Sequence, residues 1–385
     1  MTGFTGDGLQ AFDPSAIPTL IKLAQNSLFF DNWFSSMPGP TWPNRLFAHA
    51  GSSGGLDNSM GKVATIAAVT APGQHLRFDH LHIFEQLIAK GHTWRVYRGD
   101  LFPQVLSLRG MVEKRYEFGY DFFRPIEKLR SDLQGEDAAA YTFIEPNYAV
   151  LRNFAGNSQH PLGTVSAGEG LVTYVHDAIF TSAIGQSSAL VVTWDEHGGF
   201  FDQMSPPAAT PPGDAPLNHA RAANPANCWF DFFGVRVPAM VVSPWLPTGV
   251  GSEIFPRQVF DHSSIISSLR DILGLTESLT QRDAAAPTWS SAMLSTPRTV
   301  SPLSARSRAA PRLDHTPKLA KLPATAADRG FLMGVAHIAV DIDWHVAERT
   351  DTAPLIAHGF RCPLRLHPKC WTLTFEVSRL SAQRA

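Results

Sequence analysis

The chain has 385 residues, 44% hydrophobic and 17% charged, enough apolar material for one large core or two smaller ones. Its 32 Lys and Arg against 34 Asp and Glu leave a net charge of −2, which excludes a global basic field for nucleic acid and an acidic solvating arm. The 3 cysteines, Cys228, Cys362 and Cys370, make no disulfide framework, and no apolar run reaches the roughly 18 residues of a membrane helix.

The opening segment MTGFTGDGLQAFDPSAIP lacks a basic stretch followed by an apolar one, so it does not read as a secretory leader. Pro43 suits the first turn of a helix, which Leu46 to Ala50 continue, so Thr41 falls just before or at that helix N-terminus. Residues 79–90 repeat Leu81, Phe84, Leu87 and Ile88 on one helical stripe that stops before Gly91. Strands are expected at about 92–97, 141–144, 189–194 and 238–242, each short, rich in β-branched or aromatic residues and followed by a turn signal. Helices are expected at 167–182 and 263–273. The second carries Ile265, Ile266, Leu269, Ile272 and Leu273, with Asp261 or Ser263 placed to cap its start.

Residues 205–227 read as a long loop and 295–327, rich in Ala, Arg, Ser and Pro, as a linker. Patterning beyond Gly330 is weak, with 331–340 fitting a strand or a short helix. Short apolar runs alternating with helical patterns mark βαβ units, which predicts an α/β fold with a mainly parallel, doubly wound sheet flanked by helices.

Four constellations carry possible chemistry. In Gly39-Pro40-Thr41-Trp42-Pro43-Asn44-Arg45, a hydroxyl at a helix N-terminus can approach phosphorus while free N–H groups meet the phosphate oxygens, and Asn44 adds an amide donor. The bland alternative makes Thr41 an N-cap and Asn44 a surface residue. In Trp194-Asp195-Glu196-His197-Gly198-Gly199, two adjacent acids follow a strand directly and two glycines turn tightly, a placement that suits a divalent cation. An ordinary strand-to-loop turn is the alternative. In Asn157-Ser158-Gln159-His160-Pro161, His160 can protonate a leaving-group oxygen near neutral pH, or be an ordinary loop histidine. In Asp261-His262-Ser263-Ser264, helix capping is the main reading, with His262 a partner one layer behind the site. His80 and His82 do not share a helix face, and His358, Cys362, His367 and Cys370 have the residue types but not the spacing of a zinc site.

Together these pieces resemble the bacterial phosphoesterase family that includes non-haemolytic phospholipase C and related acid phosphatases. The stretches that carry the resemblance are DNWFSSMPGPTWPNRLFAHAGSSGG, HIFEQLIAKGHTWRVY, FIEPNY, NSQHP, ALVVTWDEHGGFFDQMSPP, FFGVRVPAMVVSPW and FDHSSIISSLRDILGL, in that order. The resemblance implies an alkaline-phosphatase-like core spanning residues 1–294 as a phosphoesterase catalytic domain, then the linker 295–327 and a poorly defined tail 328–385. It implies one divalent metal ion held by Thr41, Asp195 and Glu196, attack by Thr41 through a phosphothreonine intermediate, and His160 at the phosphate or the leaving group. Asn44 would contact substrate, itself a phospholipid or a small phosphate ester.

The family pattern is incomplete in this chain. No segment like E-N-x-S-F-D-H-x-x-G precedes Thr41, Gln203 stands where a His is frequent, and the sequence beyond about residue 300 matches nothing in the pattern. A chain truncated at its start is the expectation, with weakened metal affinity and activity. A non-catalytic remnant that only binds is the competing reading. A sulfate-ester hydrolase is disfavoured, because no Cys-x-Pro-x-Arg stands at the nucleophile.

Overall fold

The computed structural model describes residues 12–59, 78–100, 103–117, 121–135, 138–148, 156–161, 164–214 and 229–304. The apolar runs expected as strands form β2 (Trp94–Arg98), β4 (Tyr141–Glu145), β5 (Leu190–Thr193) and β6 (Ala239–Val242). Three shorter strands join them: β1 (Leu28–Phe30), β3 (Phe123–Pro125) and β7 (Gly249–Val250). They build two sheets, a three-stranded one ordered β3-β2-β4 and a four-stranded one ordered β5-β6-β1-β7. The three-stranded sheet is parallel, as is β1 with β7, whereas β6 runs antiparallel to both β1 and β5. The α/β class holds, and the antiparallel direction of the inner strand β6 is a feature that strand propensity does not report. Asp31 to Phe34 lie just past β1, where Trp33 and Phe34 make isolated bridges to Phe260 and Arg236.

Among the helices of the described residues are α1 (Pro18–Gln25), α2 (Thr41–Ala50), α3 (Ile83–Ala89), α4 (Val165–Phe180), α5 (Ser263–Leu273) and α6 (Gln281–Ala285). α3 starts four residues later than its apolar stripe suggests. His82 is extended as the N-cap and its backbone N–H donates to Glu85 Oε2 at 3.2 Å, which fixes the helix start and stops it from propagating back to Asp79. Of that stripe, Phe84 and Leu87 are buried while Leu81 and Ile88 face solvent. α5 has the expected bounds, but His262 is its N-cap and no side chain caps it. Ser264 Oγ instead accepts from the Asp261 N–H at 3.2 Å, and Ile272 is exposed.

The parallel sheet is a wall between two cores. Side chains alternate along a strand. Trp94, Val96 and Phe143 therefore pack into one core with Phe84 and Leu87 of α3, while Tyr97 and Ile144 pack into the other with β1, β5, β6, α1 and α4. α2 wedges between them. Ala48 enters the larger core, Trp42, Leu46 and Ala50 the smaller, and Phe47 packs on Met37 and Phe230. All 10 residues of α2 are buried, so this helix has no solvent face and its orientation is fixed on every side.

Residues 205–214 contain no helix or strand, and a bridge from Ala208 to Phe232 pins them. The rest of the expected loop, most of the linker, the tail and its His358 to Cys370 set lie outside the described residues. Among the described residues, no helix is long and apolar enough to cross a membrane.

Candidate active site

Thr41 is the first residue of α2. Pro40 precedes it as an N-cap that makes no side-chain hydrogen bond, so no capping side chain covers the positive dipole end of the helix. Asn44 fixes the chain that delivers Thr41. Its Oδ1 accepts from the Met37 N–H at 3.0 Å, and its Nδ2 donates to the carbonyls of Met37, Gly39 and Pro40 at 3.3, 2.9 and 3.1 Å. Both polar atoms of the carboxamide are engaged by the loop, so the structure gives Asn44 a positioning duty.

Asp195 lies just past the carboxyl end of β5, where open α/β sheets bind ligands. Burial, then repulsion from Glu196, pushes its carboxyl well above the usual carboxylate range; Arg45 and a hydrogen bond with Thr41 pull it back. That hydrogen bond joins the two strongest constellations of the sequence. Asp195 Oδ2 is buried and has no hydrogen-bond partner among the described residues. Glu196 Oε2 accepts from the Gly198 N–H at 2.7 Å and lies 3.4 Å from His197 Nδ1. Gly198 and Gly199 take φ of 64° and 80°, and a Cβ on Gly198 would come within 2.9 Å of Pro161 Cγ. The acidic turn thus folds back against the loop that holds His160.

That loop is tied to the end of β4. The Asn157 N–H donates to the Asn147 carbonyl at 2.9 Å, and the Asn147 N–H donates to Asn157 Oδ1 at 2.7 Å. His160 is buried, and burial lowers its pKa to about 4. It is therefore a neutral ring at neutral pH before substrate binds.

Three groups behind Thr41 escaped the sequence reading. Arg45 follows Thr41 by one turn on the same helix face, and its Nη1 donates to Tyr148 Oη at 2.7 Å with the guanidinium 4.8 Å from the Tyr148 ring centroid. Its Nε and Nη2 are buried with no hydrogen-bond partner among the described residues. Glu145, the last residue of β4, accepts from the N–H groups of Gln104 and Val105 at 2.8 and 2.9 Å; burial raises its pKa and Arg45 opposes the rise. The i, i+4 spacing of Thr41 and Arg45, and the strand-end position of Glu145 and Tyr148 in FIEPNY, were the available signals. His262 holds the Asp195 backbone, its Nε2 lying 2.7 Å from the Asp195 carbonyl oxygen, and burial lowers its pKa.

A metal ion fits this donor set by chemistry. Thr41 Oγ1 and the Asp195 and Glu196 carboxyl groups, the orphaned Asp195 Oδ2 among their atoms, are oxygen donors, and an unpaired buried carboxylate is costly without a cation. Among the described residues, no cluster of three His, Cys, Asp or Glu side chains is arranged to hold a metal.

The sequence matches the Phosphoesterase family over residues 5–276. Non-specific phospholipase C6 of Arabidopsis thaliana is 33% identical over 305 residues, 77% of this chain and 55% of that protein. Non-specific phospholipase C3 of the same plant is 33% identical over 302 residues, 77% of this chain and 54% of its own. Non-hemolytic phospholipase C of Pseudomonas aeruginosa is 28% identical over 266 residues, 64% of this chain and 37% of its own. The chain spans about half the length of the plant relatives it matches. A solved structure of a protein in the alkaline phosphatase superfamily from Vibrio parahaemolyticus aligns over 71% of this chain and 64% of its own, with a TM-score of 0.38 and 13% identity.

Proposed function

We propose, on the premise that this chain belongs to the Phosphoesterase family, that it hydrolyses phosphoric ester bonds with Thr41 as nucleophile. One observation carries the reading. A buried hydroxyl stands at an uncapped helix N-terminus, hydrogen-bonded to a carboxylate whose other oxygen has no partner. Several relatives are named phospholipase C, so the substrate class is a phospholipid or a smaller phosphate ester.

The N-terminal end of α2, with its positive dipole, attracts the phosphate oxygens and favours a pose with phosphorus in front of Thr41 Oγ1. Asp195 orients the Thr41 hydroxyl through their hydrogen bond. Attack forms the Thr41 Oγ1–P bond as the bond from phosphorus to the leaving alcohol breaks, and the leaving oxygen takes up a proton. Water then cleaves the phosphothreonine and returns the hydroxyl. Thr41, Asp195 and Glu196 would hold one divalent ion, which when bound neutralises phosphate charge and acidifies a coordinated hydroxyl. His160 presents a neutral ring that donates one hydrogen bond to a phosphate oxygen or accepts a proton. An anionic ester beside it raises its pKa and favours the protonated form for departure of the alcohol. Asn44 keeps loop 37–40 in place.

The test is turnover of p-nitrophenyl phosphate and p-nitrophenylphosphorylcholine by purified chain, with and without divalent ions, beside Thr41→Ala. Metal-dependent activity that disappears in the variant supports the reading, and the ratio of the two rates separates monoester from diester chemistry. A folded chain that is inactive with every ion, and binds none, makes it a binding remnant.

A further inference from the structure

Asp261-His262-Ser263-Ser264 stood out in the sequence, and capping does not account for it, since His262 makes no side-chain cap to α5. Its imidazole instead bridges two distant segments. Trp33 Nε1–H donates to His262 Nδ1 at 3.3 Å, and His262 Nε2 lies 2.7 Å from the Asp195 carbonyl oxygen. Both partners work in one direction only: an indole N–H can only donate and a backbone carbonyl can only accept. The ring therefore accepts at Nδ1 and donates at Nε2.

The three residues have almost no solvent exposure: Trp33 0%, His262 1% and Asp195 7%. Trp33 is itself packed and tied on several sides. It stacks on Phe260 with centroids 6.0 Å apart, contacts Trp289, and its carbonyl accepts from the Val237 N–H at 2.9 Å. The Phe34 N–H donates to the Phe260 carbonyl at 2.8 Å, which ties the segment after β1 to the residue two before His262. Asp195 is the first acid of a turn whose next residues include two glycines in the left-handed region, a backbone with little stiffness of its own.

We propose that His262, held by Trp33 as the tautomer protonated on Nε2, is a positioning residue that clamps the Asp195 carbonyl and thereby aims the Asp195–Glu196 pair at Thr41. This rests on the reading of that pair as the reaction site. The ring touches no substrate and works only through the backbone of Asp195.

Two measurements on the full chain test it. Imidazole 15N spectra of histidine-labelled protein are expected to show His262 protonated on Nε2 and bare on Nδ1; a ring protonated on Nδ1 overturns the proposal. His262→Gln places an amide N–H near the Nε2 position, whereas His262→Asn reaches only the Nδ1 position. The Asn variant is expected to shift the backbone amide signals of residues 195–199 and to lower kcat about 10–100-fold with KM within about twofold. The Gln variant restores both, with kcat within about threefold of the parent. Unmoved amide signals, or equal kcat in the two variants, overturns it. The ring spectrum of the parent and the Gln variant carry the test if the Asn variant does not fold. Parent protein without phosphoesterase turnover sinks the proposed function alone, since the tautomer and the amide shifts are read without substrate.

Discussion

The two ends of α2 are built to opposite rules. At its start, Pro40 offers no side-chain cap to the first turn, Thr41 carries its hydroxyl to a buried acid, and the positive end of the helix dipole lies beside them. At its end, everything is closed within the protein. Gly51 turns left-handed at φ 66° and returns its N–H to the Phe47 carbonyl, and Thr280 Oγ1 donates to the Gly51 carbonyl at 2.9 Å. Asp283, which completes the capping box of α6, is paired with Arg270 at 2.6 Å. The contrast teaches how unsatisfied polar groups can persist in a site: one end of a fully buried helix is locked by packing and caps so that the other can be left incomplete.

The sharpest way to probe the open end is Thr41→Ala. Turnover is expected to fall at least about 1,000-fold, because the nucleophile is lost while the fold keeps its core. Melting temperature should move by only a few degrees, about 1 kcal/mol or less. Retained turnover with phosphate esters removes Thr41 from the mechanism.

Nearer the closed end, His49 tests burial itself. Its ring sits edge-on to Phe143, centroids 4.8 Å apart, and burial, then the charges of His82 and Arg45, lowers its pKa from 6.5 to about 3. The unfolded chain thus binds the extra proton first. The stability this site contributes is complete above pH 6.5 and is lost as pH falls from there toward 3. Between pH 7 and 4.5 the parent should lose about 3 kcal/mol more than His49→Leu, as read from urea midpoints at both pH values. Equal losses mean that His49 is solvated in the native state.

How much of this was legible depends on where the partners of each group lie. β2, β4, β5 and β6 were found to within one or two residues, because β-branched and aromatic runs ended by turns leave few alternatives. β1, β3 and β7, of 3, 3 and 2 residues, are too short for alternation to show. Thr41 and Asp195 could be placed by local rules, a helix start and a strand end. Arg45 could not, since Tyr148 lies 103 residues away and only the folded chain brings its hydroxyl to the guanidinium. The start of α3 was missed because its N-cap is a histidine whose backbone N–H, not its side chain, is met by Glu85, and whose ring pairs with the distant Arg109 carbonyl.

The closed end yields two smaller effects. Gly51→Ala puts a Cβ 2.6 Å from Thr280 Oγ1 and forces a side chain into the left-handed region, so about 2 kcal/mol of stability should be lost, with turnover per folded molecule unchanged. A drop in turnover at saturating substrate would show that strain travels the length of α2.

Thr280→Ala is the gentlest probe. It deletes the donor to the Gly51 carbonyl and the acceptor that meets the Asp283 N–H at 3.4 Å, but leaves Asp283 with Arg270 and both backbones in place. Loss of one cap costs about 1 kcal/mol. In a domain of this size that is a shift in melting temperature of about 2–4 °C, with Thr280→Ser recovering most of it. Because all of α2 is buried, a looser C-terminus cannot tilt the helix without moving Trp42 and Phe47 through two packed clusters. Thr41 should therefore stay where it is and kcat should stay within about twofold. A larger fall in kcat, restored by serine, would mean that the cap at Gly51 sets the position of the nucleophile and that the two ends of the helix are not independent.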